Sequence, residues 1–520
     1  MSFATLLRDT VGAHGDRVAV TSGEIHRTYS ELWAAACRLA NALLSLGLRA
    51  GDRVATLGDN SDGSIEISCG LALAGLVRCP MYTQNPSAVH LYMLNAVEAA
   101  ALIVEGAYYP EVSGRLAEAP SVRQVIVRGE PRDGTLSYAD LVGGANDREP
   151  GVVVDEDAPH IIRFSSGTTG RPKGILHTAR GWKAMGREFQ QALPRFTADD
   201  AYLAAGPLSH AAGLLSWPVI SSGARHVIMP KFDVDEFIEL VAQERCTLTL
   251  LVPTMIQRIV NHPDASRHDL SSLRAIFYGA APISERTLTD AIRLWGPVLH
   301  QLYGQSEAPA ITVLPARHHD DGDKDAARWR RSAGRPTSNT TIKILDDNDR
   351  ELPVGGVGEI CARTPGMMRE IWRDPIATAE RMTPDGYVRT RDVGSLDQDG
   401  FLYLSDRKED LIISGGFNIW PAEVENALCS HPAVLEAAVV GVPDENWGET
   451  VLAAVVLRDG CQADAADLIG WCRDRIGAVK KPTRIEFSKE PLPKSGVGKV
   501  MRRAIREKYW KDEVRAIRGA

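Results

Sequence analysis

Residues 165–174 place four hydroxyl side chains, three glycines and a lysine within ten positions. Glycines let the backbone turn several N–H groups toward one point, the hydroxyls add donors, and Lys173 adds a positive charge. The run therefore predicts a loop that binds an anion such as phosphate. Its spacing matches neither G-x-x-x-x-G-K-[ST] nor G-x-G-x-x-G, which excludes the two commonest phosphate loops. A Ser/Thr/Gly-rich surface loop without a ligand is the alternative.

The segments around this loop predict the fold that positions it. Ser30 and Glu31 are expected to begin a helix that Gly47 ends. Short apolar runs typical of strands alternate with such helical segments: residues 53–57, 101–104, 122–127 and 161–162. This alternation predicts an α/β fold with a largely parallel sheet. From residue 332 to residue 400, short runs broken by Gly and Asp predict a small β subdomain.

Length and composition restrict the class of protein. A chain of 520 residues is too long for one compact core, so two or more domains are expected. The net charge is −8 and the basic residues are spread along the chain, which gives no electrostatic case for nucleic acid or an anionic membrane. The eight cysteines include no C-x-x-C pair, and no apolar run is long enough to span a bilayer. These features predict a cytoplasmic enzyme with reduced thiols.

The phosphate loop resembles the signature [ST]-[SG]-G-[ST]-[TG]-G-x-P-K-G of the adenylate-forming superfamily. That superfamily comprises acyl-CoA synthetases, luciferases and peptide-synthetase adenylation domains. Further segments resemble the family's motifs in the family's order: Pro-Leu-Ser-His at 207–210, Gly-Ala-Ala-Pro at 279–282, Tyr-Gly-Gln-Ser-Glu at 303–307, Thr-Arg-Asp at 390–392, Arg-Lys-Glu-Asp at 407–410, Gly-Gly-Phe-Asn-Ile at 415–419 and Gly-Lys at 498–499. The chain is most similar to a stand-alone acyl- or aryl-CoA ligase.

The resemblance implies an ATP site and a set of catalytic residues. The implied nucleotide-binding residues are Ser165, Ser166, Gly167, Thr168, Thr169, Gly170, Lys173, Gly279, Ala280, Ala281, Tyr303, Gly304, Gln305, Ser306, Asp392, Arg407 and Lys499. Glu307 would hold a Mg²⁺ that also binds phosphate oxygens. Asp392 would accept hydrogen bonds from the ribose hydroxyls, and Arg407 would contact the ribose. The catalytic residues are then Lys499, Lys173, Glu307 and Arg407.

The acid and the thiol acceptor would occupy separate regions. The implied acyl pocket is lined by His210, Trp217, Tyr278, Gly279 and Gly304. CoA-using relatives often stack a tryptophan on the CoA adenine at the position of Trp447, and Gly415 and Gly416 would border the pantetheine tunnel. An exposed tryptophan could equally be a packing residue, so a carrier-protein phosphopantetheine is the alternative acceptor.

The same resemblance implies a domain division. Residues 1–406 form the adenylation core, 407–410 the hinge and 411–520 a small mobile α+β lid, whose predicted helix at 465–476 is capped by Asp464. Glu409 stands at the hinge position that absorbs a rotation. Arg391 and Asp406 replace residues that are usually glycine in the family, and Glu409 also departs from its usual Asp or Lys.

Two half-reactions are implied, with a carboxylate attacking the α-phosphorus of Mg-ATP and a thiol then attacking the acyl carbon. No Asp or Glu lies between Ala201 and Phe232, so an ammonium group would lack a partner there. We therefore expect a carboxylic acid with an uncharged tail, aryl or small cyclic in preference to an α-amino acid. The alternatives are a medium- or long-chain fatty acid CoA ligase, an acyl-AMP ligase that loads a carrier protein, and a catalytically silent nucleotide-binding sensor.

Overall fold

The computed structural model describes residues 2–130, 132–165, 172–319, 326–407, 410–495 and 500–510. Its strands are β1 Val18–Ser22, β2 Ile25–Thr28, β3 Arg53–Leu57, β4 Val77–Met81, β5 Ala101–Glu105, β6 Gln124–Arg128, β7 Leu136–Ser137, β8 Pro159–Ser165, β9 Lys173–Thr178, β10 Ala201–Ala204, β11 Arg225–Ile228, β12 Leu248–Leu251, β13 Ala275–Gly279, β14 Leu299–Tyr303, β15 Thr312–Leu314, β16 Arg335–Pro336, β17 Thr341–Leu345, β18 Gly358–Arg363, β19 Glu370–Ile371, β20 Val388–Leu396, β21 Leu402–Arg407, β22 Ile412–Ser414, β23 Phe417–Ile419, β24 Val434–Asp444, β25 Gly448–Leu457 and β26 Arg484–Ser488.

The helices accompany these strands along the chain. They are α1 Phe3–His14, α2 Tyr29–Ser45, α3 Gly63–Leu73, α4 Ser87–Ala96, α5 Tyr109–Ser113, α6 Tyr138–Gly143, α7 Ala179–Ala192, α8 Ser216–Ser221, α9 Val234–Glu244, α10 Pro253–Val260, α11 Glu285–Trp295, α12 Ala326–Trp329, α13 Pro375–Glu380, α14 Pro421–Cys429, α15 Ala465–Ile476 and α16 Arg502–Arg506. None of the described helices is both long enough and apolar enough to cross a membrane.

Two large sheets form the first part of the chain. One has eight strands in the order β19-β9-β8-β4-β3-β5-β6-β7, and the other has nine in the order β16-β15-β14-β13-β12-β10-β11-β1-β2. The inner strands are parallel and the added edge strands β2, β9, β15, β16 and β19 are antiparallel. The buried side chains of α1, α2, α3, α7 and α8 form one core that reaches strands of both sheets. The predicted α/β fold is confirmed.

Two smaller sheets follow. Strands β17, β18, β20 and β21 form an antiparallel sheet over residues 341–407, which agrees with the predicted β subdomain. Strands β22–β25 form a mainly antiparallel sheet to which β26 adds in parallel, with α14 and α15 packed on it. The last strand of the subdomain runs through Arg407, the first residue of the predicted hinge, and pairs it with Asp392.

Local sequence accounts for where two of the predicted helices begin. Helix α15 has the predicted bounds because Asp464 accepts a hydrogen bond from Asp467 N–H at 2.8 Å. The predicted start of α2 at Ser30 is wrong. Thr28 is the N-cap, and its side chain and that of Glu31 form a reciprocal capping box, so the helix begins at Tyr29.

Candidate active site

The predicted phosphate loop closes a hairpin between β8 and β9. Ser165 and Lys173 are register partners on these antiparallel strands, so the loop leaves and returns at one place beside the eight-stranded sheet. The central motif residues lie outside the described part of the chain: Ser166, Gly167, Thr168, Thr169 and Gly170. The strand pairing therefore positions Ser165 and Lys173, while the roles of the loop residues stay predictions.

Asp392 is the point at which four predicted nucleotide-binding residues meet. Tyr303 Oη donates to Asp392 Oδ2 at 2.7 Å, and Gln305 Nε2 donates to the same oxygen at 2.6 Å. Arg407 Nε lies 3.5 Å from Asp392 Oδ1. Tyr303 ends a strand of the nine-stranded sheet, whereas Asp392 and Arg407 belong to the β subdomain. The carboxylate thus holds together the two regions from which the nucleotide site is predicted to be built.

Glu307, the predicted Mg²⁺ ligand, is buried and ion-paired. Its Oε1 accepts from Arg381 Nη2 at 2.6 Å, and its backbone carbonyl accepts from Met368 N–H at 2.7 Å. Oε2 has no hydrogen-bond partner among the described residues, which leaves one carboxylate oxygen for a cation. In nucleotide sites, Mg²⁺ is usually held by one or two carboxylates together with substrate phosphates. The described residues hold no cluster of three or more metal-ligating side chains, and this arrangement fits a metal bound largely by ATP.

His177 supports the neighbouring residue of the same motif. Its Nε2 lies 2.8 Å from the carbonyl oxygen of Ser306. Burial and then the nearby Arg163 guanidinium lower the pKa of His177 to about 4. The imidazole is therefore neutral at pH 7 and donates from Nε2. Neither His177 nor Arg381 was identified from the sequence, because neither belongs to a motif and both are far along the chain from the residues they contact.

Two glycines of the predicted site are required by the backbone beside them. A Cβ on Gly279 would lie 2.1 Å from the Leu302 carbonyl oxygen, and one on Gly304 would lie 2.3 Å from the Pro309 carbonyl oxygen. The sequence argument was that small residues let a flat ring approach the backbone. In the structure, the neighbouring backbone carbonyls already leave no room for a side chain at either glycine. Ala280 follows with φ of +67°, a left-handed conformation that glycine would adopt with less strain.

Two of the predicted acyl-pocket residues line one narrow cavity. His210 and Trp217 border a volume of about 20 Å³ among β4, β8, α3, α7 and α8. Such a volume exceeds the roughly 10–15 Å³ needed for a single water molecule. The cavity wall also contains Arg78, His160 and Arg163, which the sequence argument did not include. The lining of this cavity is therefore less apolar than the lining predicted for the acyl pocket, because two cations come from strands outside the segment that was searched for charge.

Burial perturbs the titratable groups of this cavity. Arg163 is 5% exposed, and burial followed by repulsion from Arg78 lowers its pKa to about 10. Burial also lowers the pKa of Arg78 to about 10. His160 is affected in the same direction, since burial and then Arg78 lower its pKa to about 3. At pH 7 both guanidinium groups are charged and the imidazole is neutral.

Tyr278 does not line this cavity. It is fully buried in the core formed with helices α9–α11, on the other face of the nine-stranded sheet from Trp217. Its hydroxyl is 2.8 Å from His319 Nε2 and 3.1 Å from Gln301 Oε1. Because successive strand residues alternate between faces, Tyr278 points away from the cavity beside His210 and Trp217, and its predicted place in the acyl pocket stays a prediction.

The predicted CoA residues meet on an exposed hairpin of the C-terminal sheet. A Cβ on Gly415 would lie 2.4 Å from the Trp447 ring, and Gly415 N–H donates to the Trp447 carbonyl at 3.2 Å. Gly415 and Gly416 have φ of +57° and +83°, which only glycine adopts readily. Trp447 is 55% exposed. The ring thus covers the glycine backbone on one side and leaves a surface on which a planar group could stack.

Arg502 ties the end of the chain to the segment after β21. Its guanidinium lies 2.7 Å from Asp406 Oδ1, 3.0 Å from Asp410 Oδ2 and 2.6 Å from Glu425 Oε2. Asp406, which replaces the family's usual glycine, therefore has a structural partner three residues beyond Lys499. Glu409 and Lys499 themselves lie outside the described residues.

Comparisons with known proteins agree with this architecture. The AMP-binding enzyme family model matches residues 7–372, and the AMP-binding enzyme C-terminal domain model matches residues 423–499. The medium/long-chain-fatty-acid–CoA ligase FadD8 of Mycobacterium tuberculosis is 33% identical over 98% of this chain and 91% of its own length. A feruloyl-CoA synthase of an Amycolatopsis species is 35% identical over 94% of this chain and 96% of its own.

A solved structure has the same fold throughout. The amide bond synthetase McbA of Marinactinospora thermotolerans superposes with a TM-score of 0.87 at 30% identity, covering 98% of this chain and all of that one. Both family models and full-length relatives thus match, and the superfamily predicted from the sequence is confirmed. The chain belongs to the family of AMP-binding enzymes and is an adenylate-forming acyl-CoA synthetase that uses ATP, Mg²⁺ and CoA.

Proposed function

We propose that this ligase activates an aryl or small cyclic carboxylic acid to its acyl-adenylate, with release of pyrophosphate, and then transfers the acyl group to CoA. The convergence of Tyr303, Gln305 and Arg407 on Asp392 carries the proposal. These donors fix one carboxylate at the junction of two sheets, where it can accept from the vicinal hydroxyls of a ribose. A carboxylate held in a fixed position for a ribose supports a nucleotide-dependent reaction at that junction.

The acyl group is proposed to enter beside His210 and Trp217. The cavity there is about 20 Å³, little more than one water molecule needs, so an acid would have to displace side chains to enter it and the volume does not distinguish a planar acid from an alkyl chain. The resemblance to FadD8 keeps a medium- or long-chain fatty acid as the second candidate. Trp447 and the Gly415–Gly416 backbone support CoA as the acceptor, with a carrier-protein phosphopantetheine as the alternative.

The chain's own residues would serve the first step by neutralising and orienting anions. The attacking carboxylate and the triphosphate repel each other, so Lys173 and the phosphate loop are proposed to hold the leaving pyrophosphate. Lys499 would lie between the acyl and α-phosphate oxygens, and Glu307 Oε2 would hold Mg²⁺, whose charge screens the phosphates. No covalent attachment to the protein is required.

A panel assay tests the proposal. Purified protein with Mg-ATP is offered benzoate-type, cyclic, medium-chain and long-chain acids and an α-amino acid, and pyrophosphate release and CoA thioester formation are measured. We expect release to be fastest with an aryl or cyclic acid and to be followed by thioester formation when CoA is added. Preferred turnover of palmitate or of amino acids would reject the substrate class. ATP binding without release for any acid would favour the sensor.

A further inference from the structure

The cavity beside His210 is lined by two arginines that form no ion pair with a carboxylate of the described residues. Arg78 on β4 is the register partner of Ile161 on β8, so Arg78 and Arg163 lie on one face of the sheet, two positions apart. Both line the cavity. Neither guanidinium forms an ion pair or hydrogen bond with any residue that the structure describes, and Nε of Arg78 is shielded from solvent. The pair therefore presents unused donors to the cavity.

The nearby acidic groups are already committed to other cations. Glu156 accepts from Lys183 Nζ at 2.6 Å, and Glu307 is paired with Arg381 at 2.6 Å. Arg163 is attracted electrostatically by Glu307 without forming an ion pair with it, and it contacts the Trp182 ring, whose centroid lies 5.8 Å from Cζ. A cation–π contact contributes about 0.5–2 kcal/mol, whereas an unpaired buried charge costs several kcal/mol. Two such charges side by side are expected only where an anion binds.

We propose that Arg78 and Arg163 bind a second acidic group of the substrate, so that the preferred substrate is a dicarboxylic acid. One carboxylate is activated by ATP and the other is held in the cavity. This inference rests on the proposed function, because it names the substrate class of that reaction. A guanidinium matches a carboxylate with two parallel N–H donors. The sequence predicted a substrate with an uncharged tail, and this proposal replaces that tail with one that carries a carboxylate. The prediction that a substrate with an ammonium group is excluded is unchanged.

The anion could also come from solvent. A chloride or phosphate ion bound by the same arginines would neutralise them equally well and leave the substrate's tail unspecified. The two sources differ in what they predict. If the arginines bind a substrate carboxylate, the turnover rate should depend on whether the acid carries a second, distal charge. If they bind an anion from solvent, the turnover rate of every acid should depend on which salt is present.

The test compares matched acids with matched variants. Pyrophosphate release is measured with a cyclic or aromatic dicarboxylic acid and with the same acid carrying a methyl ester at the distal carboxylate. Wild-type protein, Arg78→Gln and Arg163→Gln are compared with Arg115→Gln, an exposed arginine in a surface ion pair. We expect wild-type kcat/KM to favour the diacid by at least roughly 30-fold, because losing one partner of a buried charge pair costs that much or more. Both cavity variants should reduce this ratio to near one and retain turnover of the ester.

Three results would overturn the proposal. The first is a wild-type preference for the ester. The second is an equal loss for both acids in Arg163→Gln, which would make the arginine structural. The third is a saturable activation of ester turnover by chloride or phosphate that the variants lose.

Failure of the proposed function gives a different result. If no acid supports pyrophosphate release, the ligase assignment to this substrate class fails. The arginine site is then judged by thermal shift, in which the free diacid should raise the Tm of wild type but not of Arg163→Gln. Arg163→Met should raise the Tm of the ligand-free protein, because it removes an unpaired buried charge. A lower Tm for that variant together with no diacid shift would reject the site.

Discussion

The nucleotide side and the acyl side of the candidate site are built on opposite electrostatic principles. On the nucleotide side, Asp392 accepts hydrogen bonds from two side chains and is ion-paired with Arg407, and Glu307 is paired with Arg381. On the acyl side, Arg78 and Arg163 share a narrow cavity with no acidic partner among the described residues. In the first region the charged groups are paired with one another. The second region holds charge that only a ligand or an ion would satisfy.

The difference indicates how each region contributes to recognition. A carboxylate held by protein donors keeps its geometry, so the nucleotide side gains affinity by preorganisation. Removing an unpaired cation from water is unfavourable, and an acid with a second anionic group would offset that cost. The acyl side therefore gains selectivity against acids that lack such a group. Mutations on the two sides should therefore behave differently. Those on the nucleotide side should lower both stability and turnover, and those on the acyl side should alter substrate choice.

Replacing Glu307 should have the largest effect on the paired side. Glu307→Gln leaves the partly buried Arg381 guanidinium without its carboxylate partner, and breaking a buried ion pair costs about 3 kcal/mol or more of unfolding free energy. Pyrophosphate release should fall as well, because the oxygen available to Mg²⁺ loses its charge. Urea unfolding and the release assay measure the two effects. Glu285→Gln, which breaks the exposed pair with Arg331, is the matched control and should change stability by less than about 1 kcal/mol.

A second variant separates pairing from metal binding at Glu307. Adding Arg381→Met to Glu307→Gln removes both charges and should restore much of the lost stability. Turnover should stay low, because the carboxylate is still missing. If turnover returns with stability, Glu307 acts through the ion pair alone and the Mg²⁺ assignment fails.

Lys499→Ala tests whether acyl-adenylate formation on the nucleotide side requires a lysine from the C-terminal domain. Loss of a charge used in the transition state typically costs on the order of 10²-fold or more, so acyl-adenylate formation should fall by that factor. Thioester formation from supplied acyl-adenylate should remain nearly intact if the lid uses two orientations. Lys489→Ala, an exposed lysine on the same domain, controls for general damage. Equal losses in both half-reactions would reject the two-orientation model.

The hinge provides the complementary variant. Glu409→Pro restricts the backbone at the proposed pivot and should impair the second half-reaction more than the first. Arg502 already binds Asp406 and Asp410 on either side of this position. An unchanged ratio of the two half-reactions in Glu409→Pro would place the pivot elsewhere.

The histidines near the acyl cavity should make stability depend on pH. The pKa of His160 is lowered from 6.5 to about 3 by burial, and that of His177 to about 4. The unfolded chain therefore binds more protons between those values and 6.5, so stability rises with pH in this window and is lost as pH falls. Each histidine contributes about 1.4 kcal/mol per pH unit there. The free energy of unfolding is measured by urea titration from pH 7 to pH 4.

A substitution isolates the contribution of His160 to this slope. His160→Phe keeps an aromatic ring against Phe3, whose centroid lies 4.3 Å away, but cannot titrate. The slope of stability against pH should decrease relative to wild type. Replacing His268, which is exposed, should leave the slope unchanged. An unaltered slope in His160→Phe would mean that this imidazole is not held neutral.

The sequence was sufficient where a function depends on contiguous residues. The phosphate loop, the Asp392 motif and the bounds of α15 are local patterns; the bounds of α15 are confirmed, and the site roles of the two motifs stay predictions. It was insufficient for Arg78 and Arg163, which come from adjacent strands separated by about 80 residues of sequence, so only strand register brings them together. The face on which Tyr278 lies, opposite to Trp217, was also not predicted, because a one-residue change along a strand reverses the face of the side chain.

Arg391 is a strained residue directly before Asp392, so relieving its strain can be tested for an effect on the nucleotide side. It stands where the family usually has glycine, and its φ of +61° is left-handed, which costs a non-glycine residue roughly 1–2 kcal/mol. Arg391→Gly removes that strain but increases the entropy of the unfolded chain by roughly 0.5–1 kcal/mol. The expected result is a gain in unfolding free energy of less than about 1 kcal/mol. Arg391→Ala removes the same side chain and keeps the strain, so it is the control.

The activity of Arg391→Gly tests the comparison between the two sides directly. If Asp392 is held by Tyr303 and Gln305, at 2.7 and 2.6 Å, relaxing the preceding residue should leave the KM for ATP unchanged. If the left-handed backbone of Arg391 is what aims the carboxylate, KM should rise although the protein becomes more stable. In that case Arg391→Ala, which preserves the strain, should keep the wild-type KM. Together the two results would show that ATP binding depends on the strained backbone at Arg391 as well as on the hydrogen bonds to Asp392.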